Sequence, residues 1–439
     1  MSVDVIVGLQ RGDEGKGRFV DMLAGEYDIV ARFNGGNNAG HTVVLPNGQS
    51  LKLHSVPSGI AYPHVVNVIG SGTLIDPVKL LVEFAHIQSE GIKITPDNLQ
   101  ISSCAHLILP HHICQDELRE AGNARQGSTK SGIAQVASDK ALRTGVRAEI
   151  IGSDPSRLES LVQEGLAALR QARKSAGLPD LDEAAVASNF AQKAQKLAPY
   201  IKDTALYLNE QLSKSTPARV LAEGAQAFLL DIDYGMYPFT SSSSTTSGGV
   251  ASGLGIPPTF VENIIGVAKV IQSHVGDGPF VTEITDSKLL KRLYGDMMTI
   301  DAERGTTTGR VRRLGYLDLP QIRRANMING TQSMALSKLD WLSRFGKEIP
   351  VCVAYKSSGR LIDIAPGSAQ ELAGCIPVYK NLAGWTEDIQ HIRTSDDLPA
   401  HAKAYVKFVE DQTGVPASMI GVGPGRGQVI VRSAATSAL

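Results

Sequence analysis

Short apolar runs alternate with helical patterns along most of the chain. Between two such runs, apolar residues recur three and four positions apart at 77–90, which predicts an amphipathic helix. The apolar runs have the length of buried strands and lie at 3–7, 28–33, 64–69, 107–109, 220–222, 334–336 and 349–354. Continuous apolar strands that alternate with helices are typical of parallel sheets covered on both sides. The pattern therefore predicts an α/β fold with a large, mostly parallel central sheet and helices on both faces.

The segment 155–214 departs from this alternation. It is rich in Ala, Leu, Lys, Glu and Gln, with apolar residues three and four apart and no strand-like run. The hydroxyl-rich stretch 240–249 is too short to be a linker between domains, and its hydroxyls and glycines suit anion binding. We therefore expect a single large α/β domain over 1–439, with a predominantly helical insertion without strands at 155–214.

Charge and apolar content restrict the partners of the chain. Its 439 residues are 42% hydrophobic and 20% charged, with a formal net charge of −1. Such a balance lacks the basic surface that nucleic acids require, so we expect no nucleic-acid partner. The amino terminus has no cationic start followed by a long apolar run, and no stretch of about 20 apolar residues follows. We expect a cytoplasmic protein with no membrane partner.

The cysteines give no sign of a disulfide or zinc framework. Four of them stand far apart without a CxxC pair, at Cys104, Cys114, Cys352 and Cys375. We expect buried structural thiols.

A glycine-rich segment follows the first predicted strand. Residues 8–17 read GLQRGDEGKG, and 19–23 then predict a helix. The glycines allow the backbone to approach an anion, the helix amides point toward it, and Lys16 supplies charge. A Walker motif would require glycine and a hydroxyl where Gln10 and Gly17 stand. The segment therefore predicts a phosphate cradle without the usual magnesium-binding hydroxyl.

Two polar residues in this part of the chain are candidates for chemistry. A carboxylate beside phosphate oxygens is unfavourable unless it binds metal or acts as a base, so Asp13 has one of these roles or lies on a tight surface turn. The stretch 34–42, NGGNNAGHT, places side-chain amides, three glycines and a histidine after an apolar strand. His41 is therefore a candidate catalyst, whereas we expect other histidines such as His111 and His112 to be packing or surface residues.

These segments closely resemble the signature segments of adenylosuccinate synthetases: GLQRGDEGKGR at 8–18 and GGNNAGHT at 35–42. The resemblance continues in collinear order at 127–130, 139–147, 223–226, 229–233, 275–280, 305–310, 338–340 and 423–424. It covers nearly the whole chain. It implies a fold like that of P-loop NTPases, with helical insertions, and a GTP-dependent ligation of L-aspartate to inosine monophosphate (IMP).

The resemblance also implies a two-step reaction on the purine. The 6-oxo group is a poor leaving group, so it is first phosphorylated by GTP to a 6-phosphoryl intermediate. In this mechanism Asp13 takes the N1 proton and His41 stabilises the transferring phosphoryl group as an acid. The amine of aspartate then displaces phosphate from C6, which gives adenylosuccinate, the first committed product between IMP and AMP. Magnesium is expected on Asp13 and on the carbonyl of Gly40.

Three binding sets follow from the resemblance, position by position. The GTP set is Gly12, Glu14, Gly15, Lys16, Gly17, Gly40, Thr42, Arg312, Lys338, Asp340, Gly421 and Gly423. The IMP set is Asp13, Asn38, Thr129, Arg143, Gln226, Ser241 and Arg310. The aspartate set is Thr306, Thr307, Thr308, Arg310 and Arg312. Arg143 is implied to reach the site of a neighbouring subunit, so the resemblance predicts a homodimer.

Lys338 and Asp340 match the residues that read guanine in this family. A carboxylate accepts hydrogen bonds from the N1 and N2 hydrogens of guanine. Adenine would leave that acceptor unpaired, which explains a preference for GTP over ATP.

Three positions and one run of residues depart from the family pattern. Arg11 stands where tryptophan is usual, so its cation either contacts phosphate or points to solvent. The run 130–138, KSGIAQVAS, differs near the expected purine nucleotide. Gly421 replaces a serine near the expected guanine pocket, and Ser241 replaces a threonine while keeping the hydroxyl.

Two alternatives to the IMP ligase remain at this point. The first is a paralogue that aminates another 6-oxopurine-like nucleotide in specialised metabolism. The second alternative is a GTP-binding regulator, because a strand, a phosphate loop and a Lys-Leu-Asp sequence also occur in that class. A regulator would hydrolyse GTP without IMP, whereas a ligase would consume GTP only with both co-substrates.

Overall fold

The computed structural model describes residues 3–45, 48–121, 129–294, 303 and 311–432. Its strands, in chain order, are β1 Val3–Gly8, β2 Ile29–Arg32, β3 Gly35–Gly36, β4 His41–Val44, β5 Ser50–Leu53, β6 Val66–Ile69, β7 Thr73–Ile75, β8 Leu99–Ser102, β9 His106–Leu107, β10 Ile201–Lys202, β11 Val220–Glu223, β12 Val261–Lys269, β13 Ile271–His274, β14 Arg313–Asp318, β15 Ser333–Ser337, β16 Glu348–Ser357, β17 Arg360–Ile362, β18 Ile376–Ala383, β19 Ala417–Gly421 and β20 Val429–Val431. The α-helices are α1 Lys16–Ala24, α2 Pro77–Ser89, α3 Pro110–Ala121, α4 Ile133–Leu142, α5 Ile150–Ser153, α6 Pro155–Ser175, α7 Glu183–Gln195, α8 Thr204–Leu212, α9 Gly249–Leu254, α10 Ser287–Tyr294, α11 Leu319–Asn329, α12 Ala369–Ala373 and α13 Ala400–Thr413. Short 3₁₀ helices lie at Ser58–Ala61, Ala198–Tyr200, Phe228–Leu230, Pro258–Phe260, Leu339–Phe345 and Ser395–Asp397.

The central sheet has ten strands in the order β10-β8-β6-β2-β11-β1-β12-β15-β19-β20. All neighbours are parallel except β19 and β20, which run antiparallel. β1 is buried along its whole length, as its apolar sequence predicts. The predicted mostly parallel sheet is confirmed.

Helices cover both faces of this sheet. Val3, Val5 and Val7 of β1 pack in one cluster with apolar residues of α8 and α9. Ile6, one residue out of phase, packs in a second cluster with Phe19 and other residues of α1. Successive side chains of a strand point to opposite faces, so β1 serves both clusters and is apolar throughout.

Two predicted strands lie outside the central sheet. The strand predicted at 349–354 is part of β16, which pairs antiparallel with β17 and β18 in a separate mixed sheet. The strand predicted at 107–109 overlaps β9 at Leu107 only, and β9 lies in a three-stranded sheet with β3 and β7. Placing these runs in the central sheet was wrong, because an apolar run specifies burial but not the neighbouring strand.

The segment 155–214 contains α6, α7 and α8. Asp154, Asp182 and Asp203 cap these helices by accepting hydrogen bonds from amides of their first turns. The segment also contains β10, which pairs parallel with β8 at the edge of the central sheet. The expectation of no strand here was therefore wrong, since a two-residue edge strand leaves too short a pattern to read.

Among the described residues, no helix is both long and apolar enough to cross a membrane. The four cysteines are free thiols. Cys114, Cys352 and Cys375 are buried as expected, but Cys104 is exposed, which corrects that prediction for one position.

Candidate active site

The polar segments singled out in the sequence follow neighbouring strands of the central sheet. The loop 9–15 follows β1, and residues 224–226 follow β11 beside it. Lys338 follows β15, and residues 422–424 follow β19. Since parallel strands end at the same edge, these segments meet there. The carboxyl edge of the sheet is thus the candidate active site.

The phosphate loop has a strained, tightly bonded backbone. Gly12, Asp13 and Gly15 have φ angles of 92°, 60° and 89°, in the left-handed region. The Glu14 carboxylate accepts from the backbone N–H of Gly12 at 2.8 Å and from Lys16 Nζ at 2.7 Å. α1 begins at Lys16, so its free amides face the loop. The loop has the backbone geometry expected of a phosphate cradle, and Lys16 contacts Glu14 within it.

His41 is packed directly onto this loop. A Cβ atom at Gly17 would lie 2.6 Å from the Cβ of His41, so only glycine allows the contact. The ring Nδ1 of His41 is hydrogen-bonded to Glu223, the last residue of β11. The two signature segments, which are separate in the sequence, therefore form one site.

Glu223 is an ionised carboxylate with no exposed surface. Arg32 Nη2 donates to its Oε1 at 2.7 Å, and the N–H and hydroxyl of Ser58 donate at 2.8 Å each. Burial would raise the pKa of Glu223, but the charge of Arg32 and the hydrogen bonds from His41 and Ser58 outweigh burial and hold it well below its usual range. The carboxylate therefore accepts the Nδ1 hydrogen of His41.

The same surroundings keep the His41 ring neutral. Burial, reinforced by the charge of Arg32, lowers the pKa of His41 to about 4 against the opposing effect of Glu223. With its hydrogen on Nδ1, a neutral ring has an unprotonated Nε2. Negative charge near Nε2 would favour its protonation.

Asp13 is held by an ion pair. Arg312 Nε lies 2.8 Å from its Oδ2, and 28% of the Asp13 side chain is exposed. Arg312 also donates from Nη1 to Glu303 at 3.1 Å. The candidate base is thus oriented by a cation yet accessible.

The pair proposed to read guanine lies where β15 ends. Lys338 has a left-handed backbone, and its Nζ lies 3.7 Å above the Trp341 ring and 2.5 Å from Glu303. The Asp340 carboxylate accepts from Gln390 Nε2 at 3.2 Å. A Cβ at Gly421 would lie 3.2 Å from Nη1 of Arg18, so the small residue gives room to that guanidinium.

Comparison with known proteins gives a consistent result. The family model described as adenylosuccinate synthetase matches residues 5–430. The chain is 41% identical over 435 residues to the adenylosuccinate synthetase of Caldanaerobacter subterraneus, covering 98% of this chain and 99% of that one. It is 42% identical over 436 residues to that of Bacillus thuringiensis, covering 99% of both. The fully ligated adenylosuccinate synthetase of Plasmodium falciparum superposes with a TM-score of 0.87 at 35% identity, covering 99% of this chain and 100% of that chain.

The chain belongs to the adenylosuccinate synthetase family. The resemblance read from the two signature segments is thereby confirmed, and so is the fold class. The matched residues include the mixed sheet and all of the central sheet except the first two residues of β1 and the last residue of β20, not only the phosphate loop.

Two of the residues matched to the family's IMP set contact each other at this edge of the sheet. Gln226 Nε2 donates to Asn38 Oδ1 at 3.2 Å, which joins the segments after β2 and β11. The Ser241 hydroxyl donates to the carbonyl of Leu230 at 2.8 Å. Thr129 and Arg143 are exposed, and Arg143 ends α4 with a φ of 65°. Thr306, Thr307, Thr308 and Arg310 lie outside the described residues.

Arg11 does not point to solvent, and that alternative was wrong. Its side chain is 3% exposed, donates from Nη2 to the carbonyl of Pro279 at 2.8 Å and stacks over the Phe280 ring at 4.4 Å. Burial lowers the pKa of Arg11 to about 10, although the nearby Asp318 opposes this. Arg11 therefore replaces a flat apolar residue by stacking its own flat head group.

Several charged residues at this edge were missed in the sequence. Arg32 and Glu223 each end a buried strand, Lys269 ends the buried part of β12, and Glu303 lies close to Arg312. A charged residue at the end of an apolar run is a signal that could have identified Arg32, Glu223 and Lys269, because a buried charge needs a partner. This signal does not identify the partner.

Three side chains outside this site lie close enough together to suggest a cation: His111, His112 and Asp139. However, His112 Nδ1 accepts from the backbone N–H of Leu109 at 2.9 Å, so its hydrogen is on Nε2, which donates to Asp139 at 3.0 Å. A ring committed in this way has no lone pair for a metal. These residues link α3 to α4, consistent with the packing role expected for the histidines.

Proposed function

We propose that this protein joins L-aspartate to C6 of IMP with GTP, giving adenylosuccinate, GDP and phosphate. Membership in the family supports the reaction. The observation that carries it is the packing of His41 on Gly17 of the phosphate loop, with its Nδ1 held by Glu223. A regulator that only binds and releases GTP has no use for a buried histidine oriented in this way.

In the first step, O6 of the purine attacks the γ-phosphorus of GTP and GDP leaves. Asp13 accepts the N1 proton, which places the electron pair on O6. The ion pair with Arg312 supports this role because it orients the carboxylate while 28% of the side chain stays accessible. In the second step, the aspartate amine forms the bond to C6 and phosphate leaves.

His41 stabilises the phosphoryl group in transfer. Its Nδ1 hydrogen is accepted by Glu223, so Nε2 is the atom available to the phosphate. Burial keeps the ring neutral without ligand, but phosphate charge would favour the protonated form. The histidine thus gains its proton when the anionic group arrives, as an acid in this role requires.

Magnesium fits the donors of this site. The Asp13 carboxylate is a hard oxygen ligand that is partly exposed in the phosphate loop, and the carbonyl of Gly40 is a second candidate. When bound, the metal would neutralise charge on the phosphate oxygens. Lys16 would exchange its bond to Glu14 for the phosphates, and the remaining members of the GTP, IMP and aspartate sets keep the roles that the family pattern gives them.

We propose further that the protein acts as a cytoplasmic homodimer of single-domain subunits, with 155–214 as a helical insertion. Arg143 would complete the neighbouring IMP site, and its exposure at the end of α4 supports such a contact.

The first experiment measures phosphate release from GTP with magnesium and L-aspartate, comparing IMP with guanosine, deoxyguanosine and xanthosine monophosphates. Product mass identifies the adduct. We expect release only with IMP and formation of the succinyl adduct. Release with another nucleotide would identify a paralogue, and GTP hydrolysis without any nucleotide acceptor would indicate a regulator.

A further inference from the structure

Glu303 is a buried carboxylate that the proposed reaction does not use. Its side chain is 1% exposed, and its oxygens accept from Lys269 Nζ at 2.9 and 3.1 Å, Lys338 Nζ at 2.5 Å and Arg312 Nη1 at 3.1 Å. Burial would raise the pKa of Glu303, but these three cations outweigh burial and hold it well below its usual range. The carboxylate is therefore ionised and shared.

Two of the three cations carry proposed roles. Arg312 Nε contacts Asp13 Oδ2 at 2.8 Å, so Glu303 and Asp13 hold opposite ends of one guanidinium. Lys338 lies two residues before Asp340, the proposed guanine acceptor. One carboxylate thus joins the phosphate loop to the guanine end of the nucleotide site.

The third cation fixes Glu303 from the protein interior. Lys269 ends β12, and its backbone N–H and carbonyl are bonded to the side chain of Gln10 at 2.8 and 2.9 Å. Its Nζ also donates to Ser273 Oγ at 2.5 Å. Because backbone and head group are both bonded, Lys269 is a rigid anchor rather than a ligand-binding group.

We propose that Glu303 is a positioning residue that holds Lys338 and Arg312 ready for a guanine nucleotide and so sets the preference for GTP. This rests on the proposed function for the roles of Lys338 and Asp340. A lysine head on a flexible stem is poorly oriented without a fixed partner. Glu303 supplies that partner, and the Trp341 ring lies 3.7 Å from the same Nζ as a second fixed contact.

The test is the isosteric variant Glu303→Gln. We expect the KM for GTP and the dissociation constant for GDP to rise about tenfold, as when one charge-assisted hydrogen bond is lost. The KM for IMP should stay within about twofold, and the preference for GTP over ATP should fall about tenfold. An unchanged GDP affinity with an unchanged GTP preference would overturn the proposal.

A purely structural role for Glu303 would be to neutralise Lys269 in the core. The double variant Lys269→Met with Glu303→Gln removes both charges together, so a structural role predicts recovery of GDP affinity. We expect no recovery, and recovery would overturn the proposal. If the single variant fails to fold, the double variant carries the same measurement.

Two controls accompany this test: the first tests whether the effect is specific to Glu303, and the second separates nucleotide binding from the proposed ligation. Glu283→Gln breaks the nearby ion pair with Arg313, 2.5 Å long and partly exposed, and should leave the KM for GTP unchanged. GDP affinity is measured without IMP or aspartate. A wild-type protein that binds GDP but ligates nothing would contradict the proposed function alone.

Discussion

Glu223 and Glu303 hold the two sides of the candidate site, and they are positioned by different means. Glu223 ends β11 and lies in register with Arg32 of the neighbouring strand, so the sheet itself places the ion pair. Glu303 lies outside any strand, and its partners come from the end of β12, from Lys338 and from Arg312. Backbone hydrogen bonds place the first carboxylate, whereas side-chain charges place the second.

The difference suggests a division of labour. Glu223 orients one reacting group, His41, so its loss should affect the rate of the chemical step. Glu303 orients cations around the nucleotide, so its loss should affect nucleotide binding. The following predictions test this division, from the largest effect to the smallest.

Removing either reacting group should abolish ligation. Asp13→Ala and His41→Asn should each lower kcat to about a thousandth or less, because general acid–base groups contribute about 10²- to 10⁴-fold. Phosphate release with all three substrates measures this, and circular dichroism checks the fold. Full activity in either folded variant would contradict the proposed mechanism.

Glu223→Gln should reduce kcat by about ten- to a hundredfold, the range for groups that orient a reacting residue. The KM for GTP should stay within about twofold, the reverse of the pattern expected for Glu303→Gln. Unfolding in urea should show a loss of about 3 kcal/mol, since Arg32 is left as a buried, partly compensated charge. Equal effects on kcat and KM in the two variants would remove the contrast between them.

Asp318 should make the free energy of unfolding depend on pH in the opposite direction to Glu223 and Glu303. Burial raises the pKa of Asp318 to about 6 from an ordinary 3.8, despite hydrogen bonds from Tyr355. The folded protein favours the neutral form of Asp318. Its contribution to stability is therefore fully present below pH 3.8, the ordinary pKa, and is lost as the pH rises through about 6. Glu223 and Glu303, with lowered pKa values, contribute above their ordinary 4.5 and lose that contribution in acid.

Relative to Asp318→Asn, the wild type should therefore lose up to about 3 kcal/mol of unfolding free energy between pH 4 and 7. Urea unfolding across this range measures the difference. A difference that grows in the wild type's favour as pH rises would show that Arg11 outweighs burial at Asp318.

Arg11→Met should change stability by no more than about 1 kcal/mol. The substitution removes a stacking contact with Phe280, but it also removes buried N–H groups at Nε and Nη1 that have no partner within the described residues. Arg11→Lys should be less stable than Arg11→Met, because it keeps a buried charge without the planar head group. Thermal unfolding of the two variants decides the order.

A partly exposed ion pair provides the smallest effect. Arg170 and Glu183 pair at 2.9 Å on the helical insertion, and water and salt screen such pairs. Glu183→Gln should leave both the melting temperature and kcat unchanged. A measurable loss would mean that the insertion contributes more to the fold than its exposure indicates.

Local patterns accounted for the elements that position the site. The apolar run at β1, the glycines after it and the helix at α1 are each readable within a few residues, because strand burial, turn strain and helix periodicity are local properties. The resemblance of the two signature segments led to the correct family. By contrast, the strands at β9 and β16 were predicted, but their sheets were not.

The sequence by itself determined the phosphate loop, the family and the alternation of strands and helices. Only the tertiary structure decided that Glu223 faces Arg32 and His41, that Glu303 gathers three cations, and that Arg11 is buried on Phe280. The physical reason is the range of the interactions. Periodicity and turn chemistry act between near neighbours in the chain, whereas a buried charge is stabilised by partners that the fold brings together. Arg32 and His41 are 191 and 182 residues from Glu223, and Lys269 and Lys338 are 34 and 35 residues from Glu303.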